Sequence, residues 1–309
     1  MIEHIDRDKR IVLITGKGGV GKTTVAASIV RALAAGRRVL GCEIGDPEGG
    51  PTALGRLFGK SVLTPTPEPV AENLSLCHLW APLGHELFLR SILPSKRLIR
   101  ATLRSKALRR FLIAAPSFHE MGIYYHLLTL LEARRPDGKP VHDTIVIDMP
   151  ATGHALALTG LVDMLLRIIP KGPVNKALRR GEEIIRDPWL STTLVVALPE
   201  RLPVSESIEL VHGLRATRTP VGGVVLNRMP EDPLTPEERA AITPILQNGL
   251  ARPMLGTRRL LQIEESQAAT SRLAEETNLP STELPELKGT ASEILEGLTT
   301  LWLARGVIA

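Results

Sequence analysis

With 309 residues, the chain is long enough to bury a full hydrophobic core, either as one large α/β domain or as a main domain with an insertion. Its net charge of +5 permits an acidic partner, a membrane surface or nucleic acid, and selects none of them. An aromatic content of 3% argues against a surface that stacks on single-stranded nucleic acid, so no nucleic-acid partner is expected.

Cysteine content and the distribution of apolar residues indicate the compartment. Cys42 and Cys77 are too few for a disulfide framework, and no C-x-x-C pair is present for structural zinc. The first ten residues are charged throughout, unlike a signal peptide, and no apolar run approaches the ~18 residues that span a bilayer. We therefore expect a cytoplasmic protein, with membrane contact only peripheral or through a partner.

A glycine-rich segment, GKGGVGKTT at residues 16–24, lies between a predicted strand at 11–15 and a predicted helix from Val25. It matches G-x-x-x-x-G-K-[ST], and the flanking strand and helix favour a phosphate-binding loop over a simple glycine-rich turn. The backbone N–H groups of the loop and the N-terminus of the helix would form an anion site. The residues predicted to bind ATP here are Gly18, Gly19, Val20, Gly21, Lys22, Thr23 and Thr24.

Three loop side chains and one distant carboxylate have distinct predicted roles. Lys22 would reach the β- and γ-phosphates, Thr23 would hold Mg²⁺, and Thr24 would touch a phosphate nearer the base. Asp148 ends the apolar strand 144–148 and so lies at the carboxyl edge of a parallel sheet, where ligands bind. It could cap a helix there, but beside a phosphate loop we favour a role in the Mg²⁺ shell.

Strands and helices alternate along the remainder of the chain, which predicts an α/β doubly wound, mostly parallel sheet in a single domain over 1–309. Strands are predicted at 38–44, 73–79, 191–198 and 221–227, and helices at 52–57, 154–169, 177–185, 205–215, 235–247 and 291–305. Gly36 is predicted to stop the first helix in a left-handed conformation, and Pro244 to kink or end its own helix. Residues 83–135 are helical in period and basic. A parallel crossover between strands needs only about a dozen residues, so this much longer stretch is predicted to be an inserted helical subdomain.

Lys17, directly after the first glycine of the loop, gives K-G-G-V-G-K-T, which resembles the deviant phosphate loop of the MinD, ParA and ArsA-type ATPases. The segment DMPATGH at 148–154 resembles the D-x-P-x-T-G-H motif of the ArsA/guided-entry family of arsenite-pump and tail-anchored-protein targeting ATPases. Three further stretches are similar to motifs of that family: PSFHE at 116–120, PERLPVSE at 199–206 and VVLN at 224–227.

The resemblance implies roles for six more residues. Lys17 would reach the nucleotide of the other subunit, and Asn227 would contact the adenine. Asp46, placed after the second strand, would orient the attacking water and contribute to the metal site, with Glu43 as a second candidate. Gly153 would bring its N–H to the γ-phosphate, while His154 is either a phosphate sensor or a local helix-start residue. The family usually continues D-P-A-H, whereas this chain has E-G-G-P after Asp46-Pro47.

The predicted function is that of a Mg²⁺-dependent ATPase cleaving the β–γ phosphoanhydride at the interface of a homodimer, or of a heterodimer with a paralogous ATPase. Its conformational switch would bind and release a protein client, with 83–135 as the candidate contact region. That block is either core with a solvated basic face or an apolar groove with a basic rim. Two alternatives are a MinD/ParA-like positioning switch and a catalytically weak subunit paired with an active paralogue. Arsenite and zinc roles are not expected, because the cysteine sites are absent.

Overall fold

A computed structural model describes residue 5 and residues 8–44, 50–92, 118–150, 166, 171–247 and 257–306. Its strands are β1 (Ile11–Gly16), β2 (Val39–Ile44), β3 (Glu68–Ala71), β4 (Leu74–Leu79), β5 (Thr144–Asp148), β6 (Ser191–Ala197), β7 (Val221–Met229) and β8 (Ser281–Pro285). The helices of the described residues are α1 (Lys22–Leu33), α2 (Ala53–Leu57), α3 (Ala81–Ile92), α4 (Phe118–Glu132), α5 (Pro173–Arg186), α6 (Arg201–Ala216), α7 (Pro236–Gln247), α8 (Thr257–Thr277) and α9 (Ala291–Ala304).

The strands form one sheet in the order β3-β4-β2-β5-β1-β6-β7-β8. All neighbours run parallel except β3 and β4, which form an antiparallel pair. The central strands are buried along their whole length, because helices cover both faces of the sheet. The predicted α/β, doubly wound, mostly parallel architecture is confirmed.

Alternation along β1 divides the core between the two faces. Val12 and Ile14 face α1 and α9, whereas Ile11 and Leu13 face the layer that contains α4 and α5. α9 packs on α1 through the fully buried Trp302, whose indole N–H donates a 2.9 Å hydrogen bond to the hydroxyl of Ser28. The last helix is therefore part of the layer that carries the phosphate loop.

The end of the chain holds two elements that the sequence did not predict, α8 and β8. α8 spans 21 residues but buries mainly small or polar side chains besides Ile263 and Leu273, so its apolar period is weak. β3 overlaps the proline-rich segment 63–70, for which no strand was predicted, yet it pairs with β4 around a register shift. In α8 and in β3, tertiary packing overrides a weak local pattern.

The predicted left-handed stop of α1 at Gly36 was wrong. Gly36 is not left-handed; instead α1 closes with tight turns in which the N–H of Ala35 bonds Ala32 and that of Gly36 bonds Leu33, both at 3.2 Å. α7 continues through Pro244 to Gln247. Capping boxes at Thr235 and Thr290 begin α7 and α9.

The helical block 83–135 is described only at its two ends, within α3 and α4. These helices pack on each other, and α4 also contacts β4 and α5. Between Met121 and Leu128 every residue of α4 is buried, so this helix forms part of the core against the sheet. The predicted subdomain depends on residues 93–117, which lie outside the described residues, and it stays a prediction. Within the described residues, no helix combines the length and apolar character needed to cross a membrane.

Candidate nucleotide site

The phosphate loop is fixed at its two ends by glycines that no other residue could replace without displacing a neighbour. Gly16 has φ 146°, and a Cβ there would lie 2.2 Å from the carbonyl oxygen of Val196 on β6. Gly21 has φ 89° and precedes α1, and a Cβ there would lie 2.4 Å from Nδ2 of Asn227. The loop is thus held between β6, β7 and the start of α1.

The N-terminus of α1 faces the space that the loop encloses. Gly21 provides no side-chain cap, and the first N–H groups of a helix have no partner within it. Gly18 and Gly19 are exposed, Thr24 is half-buried, and Val20 is buried in the core, which anchors the loop. Free backbone donors and the positive end of the helix dipole make this an anion site that is open to solvent.

Lys22 lies over the loop. Its ammonium group donates a 2.8 Å hydrogen bond to the carbonyl oxygen of Lys17. Partial burial lowers the pKa of Lys22, and the nearby carboxylate of Asp148 acts in the opposite direction. The side chain is therefore already directed at the site where the loop would hold phosphate groups.

Asp148 meets the loop from the neighbouring strand. β5 lies beside β1 with Asp148 opposite Ile14, and the hydroxyl of Thr23 donates a 2.6 Å hydrogen bond to Oδ2 of Asp148. The carboxyl group is 5% exposed, and its Oδ1 has no hydrogen-bond partner. Burial raises the pKa of Asp148 to about 7, and the bond from Thr23 opposes that rise.

This pair fits a magnesium ion. A hydroxyl and a buried carboxylate with an unpaired oxygen are hard oxygen donors, and an unpaired buried oxygen is costly unless something binds it. The described residues contain no cluster of three or more His, Cys, Asp or Glu side chains able to hold a metal. Mg²⁺ usually takes few protein ligands together with phosphate oxygens and water, so a hydroxyl and one carboxylate can serve as its ligands from the protein.

Glu43 lies on the strand next to Asp148, but its carboxylate is bonded to the start of α2. It lies opposite Asp148 across β2 and β5. Its Oε1 and Oε2 accept hydrogen bonds from the N–H groups of Ala53 and Leu54, each at 2.9 Å. Burial raises the pKa of Glu43, while these backbone bonds lower it. The carboxylate that was a second candidate for activating water is thus bound to the start of α2.

Lys17 and Glu206 form an ion pair that the sequence did not predict. Their Nζ and Oε1 atoms are 3.0 Å apart, and both side chains are partly exposed. Glu206 belongs to the stretch 199–206, whose first residues lead from β6 into α6. That stretch was noted for its resemblance alone, and a parallel strand followed by a helix is the signal that could have placed it beside the loop.

Asn227 joins the loop to a narrow cavity. Its Nδ2 donates a 2.9 Å hydrogen bond to the carbonyl oxygen of Val20, and its side chain is 5% exposed. Beside it lies a cavity of about 140 Å³ at the end of the loop away from Asp148. The cavity is lined by Gly21, Thr24, Leu57, Asn227, Arg228, Pro285, Leu287, Ala291, Ile294 and Leu298.

The two cysteines are adjacent although they are 35 positions apart in the chain. Cys42 and Cys77 are in register on β2 and β4, with their sulfur atoms 3.4 Å apart. Both are fully buried, and burial raises the pKa of the Cys42 thiol. Two thiols buried inside the sheet layer are a poor match for a soft metalloid, which binds several thiolates together.

The described site residues therefore meet at one edge of the sheet. Lys17, Lys22 and Thr23 belong to the loop, and Asp148 and Asn227 contact it from neighbouring strands. Asp46 and Gly153, with His154, lie outside the described residues, so their predicted roles stay predictions. Glu206, the cap formed by Glu43 and the cavity wall after residue 280 were not predicted.

A doubly wound sheet with this loop, lysine and strand-end aspartate defines a P-loop NTPase. A model of the anion-transporting ATPase family matches residues 9–176 of the chain. The chain belongs to that family and is an ATPase of the ArsA kind, which confirms the resemblance predicted from its motifs.

Individual relatives agree with the family assignment. The ATPase BagA of Mycobacterium tuberculosis is 29% identical over 241 residues, covering 75% of this chain and 68% of the relative. An arsenical pump-driving ATPase of Escherichia coli is 29% identical over 234 residues, 74% of this chain but 36% of the relative. The ATPase ASNA1 homolog of Babesia bovis is 25% identical over 281 residues, 76% of this chain and 74% of the relative.

Proposed function

We propose that the chain is a Mg²⁺-dependent ATPase that hydrolyses ATP at the interface of a dimer and uses the cycle to bind and release a protein client. The observation that carries the proposal is the contact of Asp148 with Thr23 at the base of the loop. One carboxylate oxygen accepts the bond from the hydroxyl, and the other is buried without a partner. Such an arrangement is costly in a protein that binds no cation there.

Binding of the triphosphate is assigned to the loop. Backbone N–H groups of Gly18 to Thr24 and the start of α1 would surround the phosphates, and Lys22 would exchange its bond to Lys17 for one to a phosphate oxygen. Thr23 and Asp148 would hold Mg²⁺, which when bound neutralises charge on the β- and γ-phosphates. Asn227 and the adjoining cavity would receive the nucleoside.

Hydrolysis is assigned to residues that would position the attacking water and stabilise charge. Phosphoryl transfer to water needs little covalent chemistry from the protein, so preorganised donors supply most of the rate. Lys22 would offset the charge that develops on the γ-phosphate. Asp46 is proposed to orient the attacking water and Gly153 to donate its N–H to the γ-phosphate.

A second copy of the chain, or of a paralogous ATPase, would complete the site. Lys17 is 46% exposed and lies at the open side of the loop, where its present partner is Glu206. A partly exposed ion pair of this kind contributes little to stability, so the lysine is free to exchange it for a phosphate of a facing subunit.

The alternative of a membrane-positioning switch has no support from the last helix. The apolar face of α9 is engaged with α1 through Leu295, Leu298 and Trp302, all buried. A membrane-binding amphipathic helix would need that face to be available. The client is proposed to contact the block 83–135. Within that block, α4 is packed in the core.

Phosphate release by the purified chain tests the proposal, measured with ATP in excess Mg²⁺ and again after chelation. We expect turnover that requires Mg²⁺ and is strongly reduced in Asp46→Asn. Sedimentation with and without a non-hydrolysable ATP analogue tests the dimer, which should form or tighten with the analogue. A chain that is inactive alone but active with a second ATPase would instead support the weak-subunit alternative. A monomer under both conditions would overturn the dimeric mechanism.

A further inference from the structure

We propose that Glu43 is a positioning residue for the nucleoside end of the site: its carboxylate holds α2 in place, and α2 forms one wall of the cavity beside Asn227. The inference rests on the proposed nucleotide site. A strand residue next to the metal end of the site would then affect binding at the opposite, nucleoside end.

Glu43 supplies the cap that α2 otherwise lacks. Thr52, the residue before the helix, makes no side-chain cap hydrogen bond. The two oxygens of Glu43 instead accept the N–H groups of Ala53 and Leu54, the first two residues of α2. A helix of five residues has little stability of its own, so its position depends on such contacts and on packing.

Glu43 on β2 and Asp148 on β5 have different hydrogen-bond partners. Asp148 keeps one oxygen unpaired beside the loop, whereas Glu43 has both oxygens bound to backbone donors of α2. Charge-assisted bonds from a carboxylate to backbone N–H groups are among the stronger hydrogen bonds in proteins. Glu43 is therefore committed to α2 and not to water or phosphate.

The other end of α2 reaches the cavity. Leu54 is 1% exposed and packs in the core with α1, and α2 also contacts α9. Leu57 lines the cavity together with Thr24 and Asn227. Releasing the cap would allow α2 to shift, and Leu57 would no longer close the wall against which the nucleoside packs.

Equilibrium binding with and without a base tests this coupling. ATP and inorganic tripolyphosphate are titrated, in Mg²⁺, into the wild type, Glu43→Ala, Glu43→Gln and Leu57→Ala, with Glu72→Ala as an exposed acidic control from the turn between β3 and β4. Thermal unfolding followed by circular dichroism checks that each variant is folded. Glu43→Gln keeps the shape of the side chain, so it remains informative if the alanine variant fails to fold.

We expect Glu43→Ala, which removes both bonds to α2, to weaken ATP binding about tenfold. Tripolyphosphate binding should change less than about twofold, because the loop contacts remain. Leu57→Ala should reproduce this selectivity, Glu43→Gln should be intermediate, and Glu72→Ala should match the wild type.

Equal weakening of ATP and tripolyphosphate by Glu43→Ala would overturn the inference, because the carboxylate would then act on the phosphate end. Unchanged affinity for both compounds in Glu43→Ala and Glu43→Gln would overturn it as well, while leaving the proposed function intact. A wild type that binds neither compound would overturn the proposed function and this inference together.

Discussion

The proposed phosphate end and the proposed nucleoside end of the candidate site are built in different ways. The phosphate end is a continuous segment, 16–24, joined by Asp148 through one 2.6 Å hydrogen bond. The nucleoside end is a cavity whose wall comes from the start of α1, the end of α2, the end of β7 and residues 285–298. One end is contiguous in sequence and the other is assembled from four distant segments.

The difference reflects the physics of what each end recognises. Phosphate groups are held by backbone N–H groups and charge, which demand glycines and a lysine at fixed spacing. A nucleoside is held largely by shape and apolar contact, which many combinations of side chains can supply. Asn227 links the two ends, since it bonds the loop at Val20 and lines the cavity.

Lys22→Ala should give the largest effect and should act through the phosphate end. Removing an ammonium that stabilises developing phosphate charge is expected to lower ATP hydrolysis by about three orders of magnitude. Tripolyphosphate binding should weaken along with ATP binding, because the lysine contacts no part of the nucleoside. Lys139→Ala, an exposed lysine at the far edge of the sheet, is the matched control. Retention of more than about a tenth of the activity would contradict the assignment.

Asp148→Asn should lower hydrolysis by about a hundredfold and blunt its dependence on Mg²⁺. The same variant should stabilise the Mg²⁺-free protein. Burial raises the pKa of Asp148 from 3.8 to about 7, so the folded state holds a proton that the unfolded state releases. Stability of the wild type from this group therefore falls as pH rises between those values.

Thermal unfolding in chelator at several pH values checks this second effect. The asparagine variant should have a flatter pH profile and a higher midpoint at pH 8 than the wild type. A lower midpoint at pH 8 with unchanged activity would mean that Asp148 serves the fold and not a cation.

Asn227→Ala tests the link between the two ends. Its loss removes the bond to Val20 and part of the cavity wall, so ATP binding should weaken about tenfold and tripolyphosphate binding by a few-fold. Titration of the two compounds gives both values. A change in ATP binding alone would place Asn227 at the nucleoside end only.

Ile294→Ala should give the smallest effect and act on the nucleoside end alone. Shortening this half-buried side chain of α9 removes apolar contact area from the cavity, and ATP affinity should fall about threefold. Tripolyphosphate affinity should not change. Leu303→Ala, on the exposed side of the same helix, should leave both unchanged.

The strand, loop and helix around 16–24 and the strand-end position of Asp148 were predicted from the sequence, whereas the cavity wall beside Asn227 was not. Spacing and flanking elements identified 16–24, and strand-end position identified Asp148. The pairing of Lys17 with Glu206 depends on how α6 is rotated about its axis, which no local pattern determines. The cap by Glu43 depends on a short helix that packs back against the sheet.

The same limit applies to elements of the fold. α8 buries Ala269 and Ser266 where a helix is usually recognised by larger apolar residues, so its period was invisible. Cys42 and Cys77 are neighbours because β4 pairs with β2, so that β2 lies between β4 and β5 in the sheet. Strand order of this kind is a property of the whole sheet and is not encoded in either strand alone.

The packing of α9 on α1 has a consequence for how the protein is made. When synthesis has reached residue 176, where the match to the family model ends, the nascent chain has the whole phosphate loop and Asp148 but none of the cavity wall from Asn227 onward. At ordinary rates of translation, roughly ten seconds pass before α9 can place Trp302 beneath Ser28. During that interval the nascent chain holds the groups that attract phosphate without the surface that selects a nucleoside.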